Sequence, residues 1–208
     1  MRLGALLLLS VSLHGQQIYD LVLKNGRVLD PANGRNGRFD IAIVGRTIAK
    51  VAPNIPAAHA RKAVDVSDYV VTPGLIDIHT HFDAEGAWLN LHPDYHALSS
   101  GATTAVDAGS SGHKTFEEFK RKVIDRSRVR LLAFLNIVGA GMYGAQVEND
   151  VKEMDVDAAA AMVKKHRDSI VGIKTAHYQP ADWEAVDRAV KAAEASKSVA
   201  MVDFHPKP

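Results

Sequence analysis

Apolar and polar positions fall into three rhythms along the chain. Residues 1–16 carry one cation, Arg2, then an apolar run centred on Leu6 to Leu9, then small and polar residues. That is the layout of a secretory signal peptide, with an apolar core too short to anchor permanently in a bilayer. Ser12 and Gly15 each offer a small residue for cleavage. A leading strand or helix of the domain is the alternative, but an unbroken leucine run beside the initiator Met is hard to use in a soluble core.

From residue 18 to about 69, short apolar runs are separated by turn signals. Runs 20–23 and 27–29 flank Lys24-Asn25-Gly26, and Asn-Gly predicts a tight type I′ hairpin. Residues 31–34 and 36–37 add turns, and runs 39–44 and 47–51 flank Gly45-Arg46 as a second hairpin. Residues 53–62 read as a loop and 63–66 as a short strand. A stretch of about fifty residues of this kind makes a small sheet with little core of its own, expected to pack on the remainder of the chain.

After residue 69 strands alternate with helices. Apolar strand candidates lie at 70–78, 103–107, 129–137, 170–175 and 199–204. Runs without clean alternation predict parallel strands buried on both faces. Between them, Thr115-Phe116-Glu117-Glu118 opens a helix as a capping box, with Phe116, Phe119 and Val123 on one stripe. Residues 155–167 form an alanine-rich second helix, and 181–197 a third with Trp183, Val186, Val190 and Ala193 at helical spacing. This is the pattern of βαβ units in an α/β sheet, a barrel or a doubly wound fold. No Walker-type loop follows any of these strands, which argues against a P-loop nucleotide site.

Composition narrows the chemistry. The 208 residues are 47% hydrophobic, with 25 basic against 24 acidic side chains, so no broad field favours nucleic acid or an anionic membrane. The absence of cysteine excludes a disulfide scaffold, a thiolate metal site and a cysteine nucleophile. Ten histidines remain, so any metal must be held by imidazole and oxygen.

The segment Thr72-Pro-Gly-Leu-Ile-Asp-Ile-His-Thr-His81 carries the strongest signal. Residues two apart on a strand share a face, so His79 and His81, with Asp77, are expected to face the same side. Chance alone supplies roughly 0.5 His-x-His pairs in a chain this rich in histidine, so the spacing by itself decides little. Placement adds weight, because sites in parallel α/β folds lie at the C-terminal ends of strands.

With the preceding Tyr19-Asp-Leu-Val-Leu-Lys-Asn-Gly-Arg-Val28, this segment resembles the metal-dependent amidohydrolase superfamily. Residues 101–109, 130–137 and 172–175 look like its dihydroorotase-like, deacetylase branch. The resemblance implies a (β/α)₈ barrel, here over residues 70–208, beside a small β-sandwich whose N-terminal part is residues 16–69. It also implies hydrolysis of a small-molecule amide, ester or cyclic amide at one or two zinc ions. His79 and His81 would be metal ligands. Lys174, near the end of the fourth barrel strand, would be carbamylated by carbon dioxide and bridge two metals; an amine kept neutral by burial beside cations can react in this way. Relatives place a histidine ligand on the fifth strand, where this chain reads Met201-Val-Asp-Phe-His205. Register points to Asp203 and residue type to His205.

Other polar groups have ordinary readings. His14 lies in the signal-like segment, His59 in a loop and His166 on a charged helix face; His92, His96 and His113 belong to exposed loops or helices near the mouth. His177, just past Lys174, is a substrate-contact candidate, and Asp107 and Ser110 can orient substrate, support a ligand or form a turn.

In the family's mechanism an aspartate on the eighth strand moves the proton, and a further histidine ligand comes from the sixth. The chain reaches only just past the fifth strand, against roughly 250 residues for a typical barrel, so an N-terminal part of a longer enzyme is expected. A non-catalytic binding or assembly module derived from such a barrel is the competing class. A single-metal deaminase of the same superfamily is disfavoured by Lys174, since that branch lacks the bridging lysine. Export is expected if the signal functions, a cytoplasmic location otherwise, and homo-oligomerisation stays open.

Overall fold

The computed structural model describes residues 18–82 and 91–203. The chain divides into two compact units between Pro73 and Gly74. No described helix is long and apolar enough to cross a membrane. The signal-peptide expectation for residues 1–16 falls outside the described residues.

The first unit is one five-stranded sheet: β1 (Tyr19–Asp30), β2 (Arg35–Val44), β3 (Thr47–Ala52), β4 (Ala60–Asp65) and β5 (Val70–Val71). Its order is β3-β2-β1-β4, with β5 also paired to β1. The core is small, made of Tyr19, Val22, Ala42 and Ile55. A polar hub supplements it. The buried Asp40 carboxylate accepts from the Asn25 and Ile55 amides at 2.8 and 2.7 Å and pairs with Lys24.

The hairpin expected at Asn25-Gly26 does not form, because β1 runs straight through those residues. Asn25 takes a left-handed φ of 65° and the pairing with β2 shifts between Leu23 and Gly26, which is a bulge. Long-range partners decide this. Asp40 receives the Asn25 N–H, Asp65 receives its side-chain amide at 3.2 Å, and a Cβ on Gly26 would sit 2.8 Å from a Val71 methyl. The chain reverses instead at Pro31–Asn33, where Asp30 caps Asn33 and Gly34 adopts φ 63°. The second expected turn, at Gly45, is present with φ 56°.

The second unit follows the strand–helix rhythm. Its strands are β6 (Leu75–Thr80), β7 (Ala102–Gly112), β8 (Arg130–Asn136), β9 (Ile170–Ala176) and β10 (Val199–Asp203). Its helices are α1 (Pro93–Ser99), α2 (Phe116–Lys122), α3 (Ala145–Glu148), α4 (Val156–Lys165) and α5 (Glu184–Ser196). The strands run parallel in the order β10-β9-β8-β7-β6. The run expected at 70–78 is divided, since Pro73 cannot donate to a ladder and Val70–Val71 pair with β1 instead.

β7, β8 and β9 are largely buried, and their apolar side chains meet α2, α4 and α5 in one core that includes Phe116, Phe119, Leu135 and Ile173. The edge strand β6 is open, with Ile76 63% and Ile78 59% exposed. Two local expectations fail here. Thr115 makes no capping bond to α2, because its hydroxyl accepts from Gly112 N–H and donates to the Ala140 carbonyl. On α5, Trp183 is exposed at the N-cap, and the buried face is Ala185, Ala189, Ala192 and Ala193. Alanines let the helix lie close to its neighbours, which a tryptophan on that face would prevent.

The sheet is strongly curled. A flat five-stranded sheet would hold its edge strands about 19 Å apart. Yet the His79 ring on β6 lies 3.8 Å from the Asp203 carboxylate on β10. Side chains from the two edges meet only if the strands wrap around a common axis, as the strands of a (β/α)₈ barrel do over five of its eight positions.

Candidate metal centre

The curl brings together residues from the C-terminal ends of three strands. His79 and His81 have ring centroids 5.5 Å apart with planes at 70°. The β6–β7 register shifts between Asp77 and Thr80, so the histidines emerge where the ladder is irregular. Asp77 is exposed, and its carboxylate accepts the His79 N–H at 3.1 Å, which steadies the strand end.

Lys174 on β9 is only 1% exposed, one of the largest fully buried side chains among the described residues. Its Nζ lies 3.4 Å from Asp203 Oδ2, a long contact for a buried ammonium. Asp203 therefore faces both His79 and Lys174. Burial alone would raise its carboxyl, but the charge and hydrogen bond of Lys174, helped by His79 and His177, hold it below the ordinary range. His205, the alternative by residue type, lies outside the described residues. Gly109 makes room for the lysine: its φ is +96°, and a Cβ there would stand 2.9 Å from Lys174 Cγ.

His81 is more enclosed than His79. Burial pushes its imidazolium down to about 4, with the positive field of His79, Lys174 and His177 acting the same way, so the ring is neutral near pH 7. Its Nδ1 meets Ser110 Oγ at 3.2 Å. Asp107 lies behind Ser110, 1% exposed, and burial raises its carboxyl to about 6 despite the donors that surround it. Any influence of Asp107 on the site passes through those donors rather than through a free oxygen.

His177 has a left-handed φ of 59°, and its Nδ1 lies 2.7 Å from Glu148 Oε2. Glu148 is 2% exposed and also accepts the Gly144 N–H at 2.9 Å. Sequence reasoning missed this glutamate, which sits on a four-residue helix with no periodic signal. His96 lines a cleft with His79 and His81, while the His92 ring lies 5.1 Å from that of Tyr95, tilted by 57°. His113 is half-buried with an unpartnered Nδ1, and His166 is held by Glu117. Among the described residues, no three His, Asp or Glu side chains close on one point.

The sequence profile described as the amidohydrolase family matches residues 70–205. The chain belongs to the amidohydrolase family. Among curated proteins, this amidohydrolase is 31% identical over 150 residues to a deacetylase of Agrobacterium fabrum, a match covering 69% of this chain and 37% of that protein. It is 39% identical over 88 residues to a dihydroorotase of Streptococcus thermophilus, covering 41% of this chain and 21% of the other. Among solved structures, a dihydroorotase superposes with a TM-score of 0.74 at 26% identity, over 89% of this chain and 51% of that one. The amidohydrolase chain thus spans well under two thirds of the relatives it matches.

Imidazole and carboxylate, the donor types of His79, His81 and Asp203, are those that suit a divalent cation of borderline hardness. Two imidazoles and a carboxylate are ordinary zinc ligands. The buried amine of Lys174 is the unusual member of the cluster.

Proposed function

We propose that this amidohydrolase chain carries the metal-binding part of a zinc-dependent hydrolase acting on an amide, ester or cyclic amide of a small molecule. The reading follows the deacetylases and dihydroorotases that the chain resembles. The observation that carries it is the meeting of His79 and Lys174 on the Asp203 carboxylate, at 3.8 and 3.4 Å, from three different strands. His79, His81 and Asp203 would hold one or two zinc ions, with Lys174 as its carbamate bridging them. Zinc bound there supplies Lewis-acid polarisation of the scissile carbonyl and a water that ionises near neutral pH.

The chain's own residues prepare that site. Gly109 leaves the space Lys174 occupies, and Asp77 fixes the backbone of His79. His177, its ring held by the buried Glu148, would contact substrate, and its left-handed backbone is the kind of strain that functional sites retain.

Calorimetric titration of the full chain with zinc, with carbon dioxide present, tests the reading. The wild type is expected to bind stoichiometric zinc, His81→Ala to lose it, and Lys174→Ala to retain at most one equivalent. A wild-type chain that is folded and takes up no zinc refutes the proposal.

A further inference from the structure

We infer that Ser110 is a positioning residue that, under the buried Asp107 carboxylate, fixes the His81 ring with its proton on Nδ1 and its lone pair on Nε2. Only the consequence for zinc rests on the function proposed above; the hydrogen bonds themselves do not depend on it.

Counting donors and acceptors fixes the polarity. Asp107 Oδ1 receives the Gly109 N–H at 3.1 Å and the Ser110 N–H at 2.7 Å. Oδ2 receives the Phe82 N–H at 3.0 Å and lies 2.7 Å from Ser110 Oγ. Three of these partners are backbone amides, which can only donate. An ionised carboxylate can only accept, so the 2.7 Å contact between Oδ2 and Ser110 Oγ must carry the Ser110 hydroxyl proton. A serine has one such proton. Once it is given to Asp107, Ser110 Oγ can only accept from His81 Nδ1, 3.2 Å away. A neutral imidazole has one donor and one acceptor nitrogen, so Nε2 keeps the lone pair.

The opposite polarity fails on the same distances. If Ser110 donated to His81, its oxygen would face Asp107 Oδ2 lone pair to lone pair at 2.7 Å, beside a carboxylate 1% exposed to water. The arrangement also ties ring and backbone together. Asp107 holds the N–H of Phe82, the residue after His81, while Ser110 holds the ring. One buried carboxylate on β7 therefore sets both the position of the β6 end and the tautomer of its histidine. An imidazole offering Nε2 in this way is the form that ligates a metal through that nitrogen, and loss of such supporting bonds typically lowers metal affinity 10–100-fold.

The test reads the tautomer directly. The full 208-residue chain, labelled with nitrogen-15 and free of zinc near neutral pH, is examined by two-bond proton–nitrogen NMR correlation of the histidine rings. Wild-type His81 is expected to show a protonated Nδ1 and an unprotonated Nε2. Ser110→Ala should lose that preference and bind zinc about 10–100-fold more weakly, and Ser110→Thr, which keeps the hydroxyl, should restore both. A wild-type His81 protonated on Nε2, or an unchanged tautomer in Ser110→Ala, overturns the inference. If Ser110→Ala does not fold, the wild-type spectrum alone decides. The expected tautomers together with a wild type that ignores zinc would support this inference and refute the metal reading instead.

Discussion

Replacing Lys174 by Met separates a lysine kept for chemistry from one kept for the fold. The two side chains are unbranched and of similar length, so the substitution removes a charge while leaving the buried volume nearly filled. The wild-type amine is 1% exposed, and taking an ammonium out of water costs several kcal/mol even after relaxation. Its return among the described residues is a contact of 3.4 Å to a carboxylate that is 32% exposed, beyond the usual hydrogen-bond range of about 2.7–3.2 Å. Asp203 loses that partner in the variant, but water can reach it, which limits the loss to about 1 kcal/mol or less. Lys174→Met should therefore stabilise the chain by about 1–3 kcal/mol, as when buried ionic groups are exchanged for apolar ones. Urea unfolding in zinc-free, carbonate-free buffer measures this as a higher midpoint with an unchanged slope. A variant destabilised by about 1 kcal/mol or more would mean that the ion pair with Asp203 supports the fold, removing the reason to assign the buried amine to a metal bridge.

Two further substitutions probe the parts around that lysine and the hub of the first unit. Gly109→Ala forces a side chain onto a backbone at φ +96° and against Lys174; about 1–2 kcal/mol of backbone strain and 1–3 of overpacking should lower stability by about 2–5 kcal/mol, read by denaturant unfolding, with zinc affinity falling alongside. Asp40→Asn leaves Lys24, 19% exposed, without its countercharge and should cost about 3 kcal/mol at neutral pH. Burial pushes the Asp40 carboxyl up, but Lys24 and the Asn25 and Ile55 amides outweigh it, so its folded value lies below the ordinary 3.8. The ionised form thus stabilises the fold above 3.8, and that contribution disappears as pH falls through the lower folded value. Unfolding curves of wild type and variant should accordingly converge in acid, and a gap that stays constant would exclude the ion pair as its source.

The fold was legible where a strand is interior to the sheet and failed where distant partners intervene. The run 129–137 announced β8 (Arg130–Asn136) because an interior parallel strand, buried on one face and half-buried on the other, needs an unbroken apolar stretch. Asn25-Gly26 misled because turn preference is local, whereas Asp40 and Asp65, 15 and 40 residues away, capture the asparagine inside a strand. Helical period found α5 but chose the wrong face. It registers large apolar side chains such as Trp183, while close packing against the sheet selects alanine.

The site divides the same way. His79 and His81 could be singled out by strand parity and by their place at a strand end, whereas Lys174 stood out only through the resemblance to the amidohydrolase family. Their meeting with Asp203 could not be read from the sequence, since it depends on curl accumulated over four strand spacings, and Glu148 beside His177 carried no pattern at all. That curl also distributes rigidity unequally. Lys174 stands on an interior strand, paired on both sides and packed under Gly109. His79 and Asp203 ride on β6 and β10, each paired within this sheet along one side only. The lysine is therefore the fixed reference of the centre, and the separation of the other two follows the curvature of the sheet. Their 3.8 Å approach makes Asp203, favoured by register on the fifth strand, the carboxylate through which any change in that curvature reaches the His79 ring.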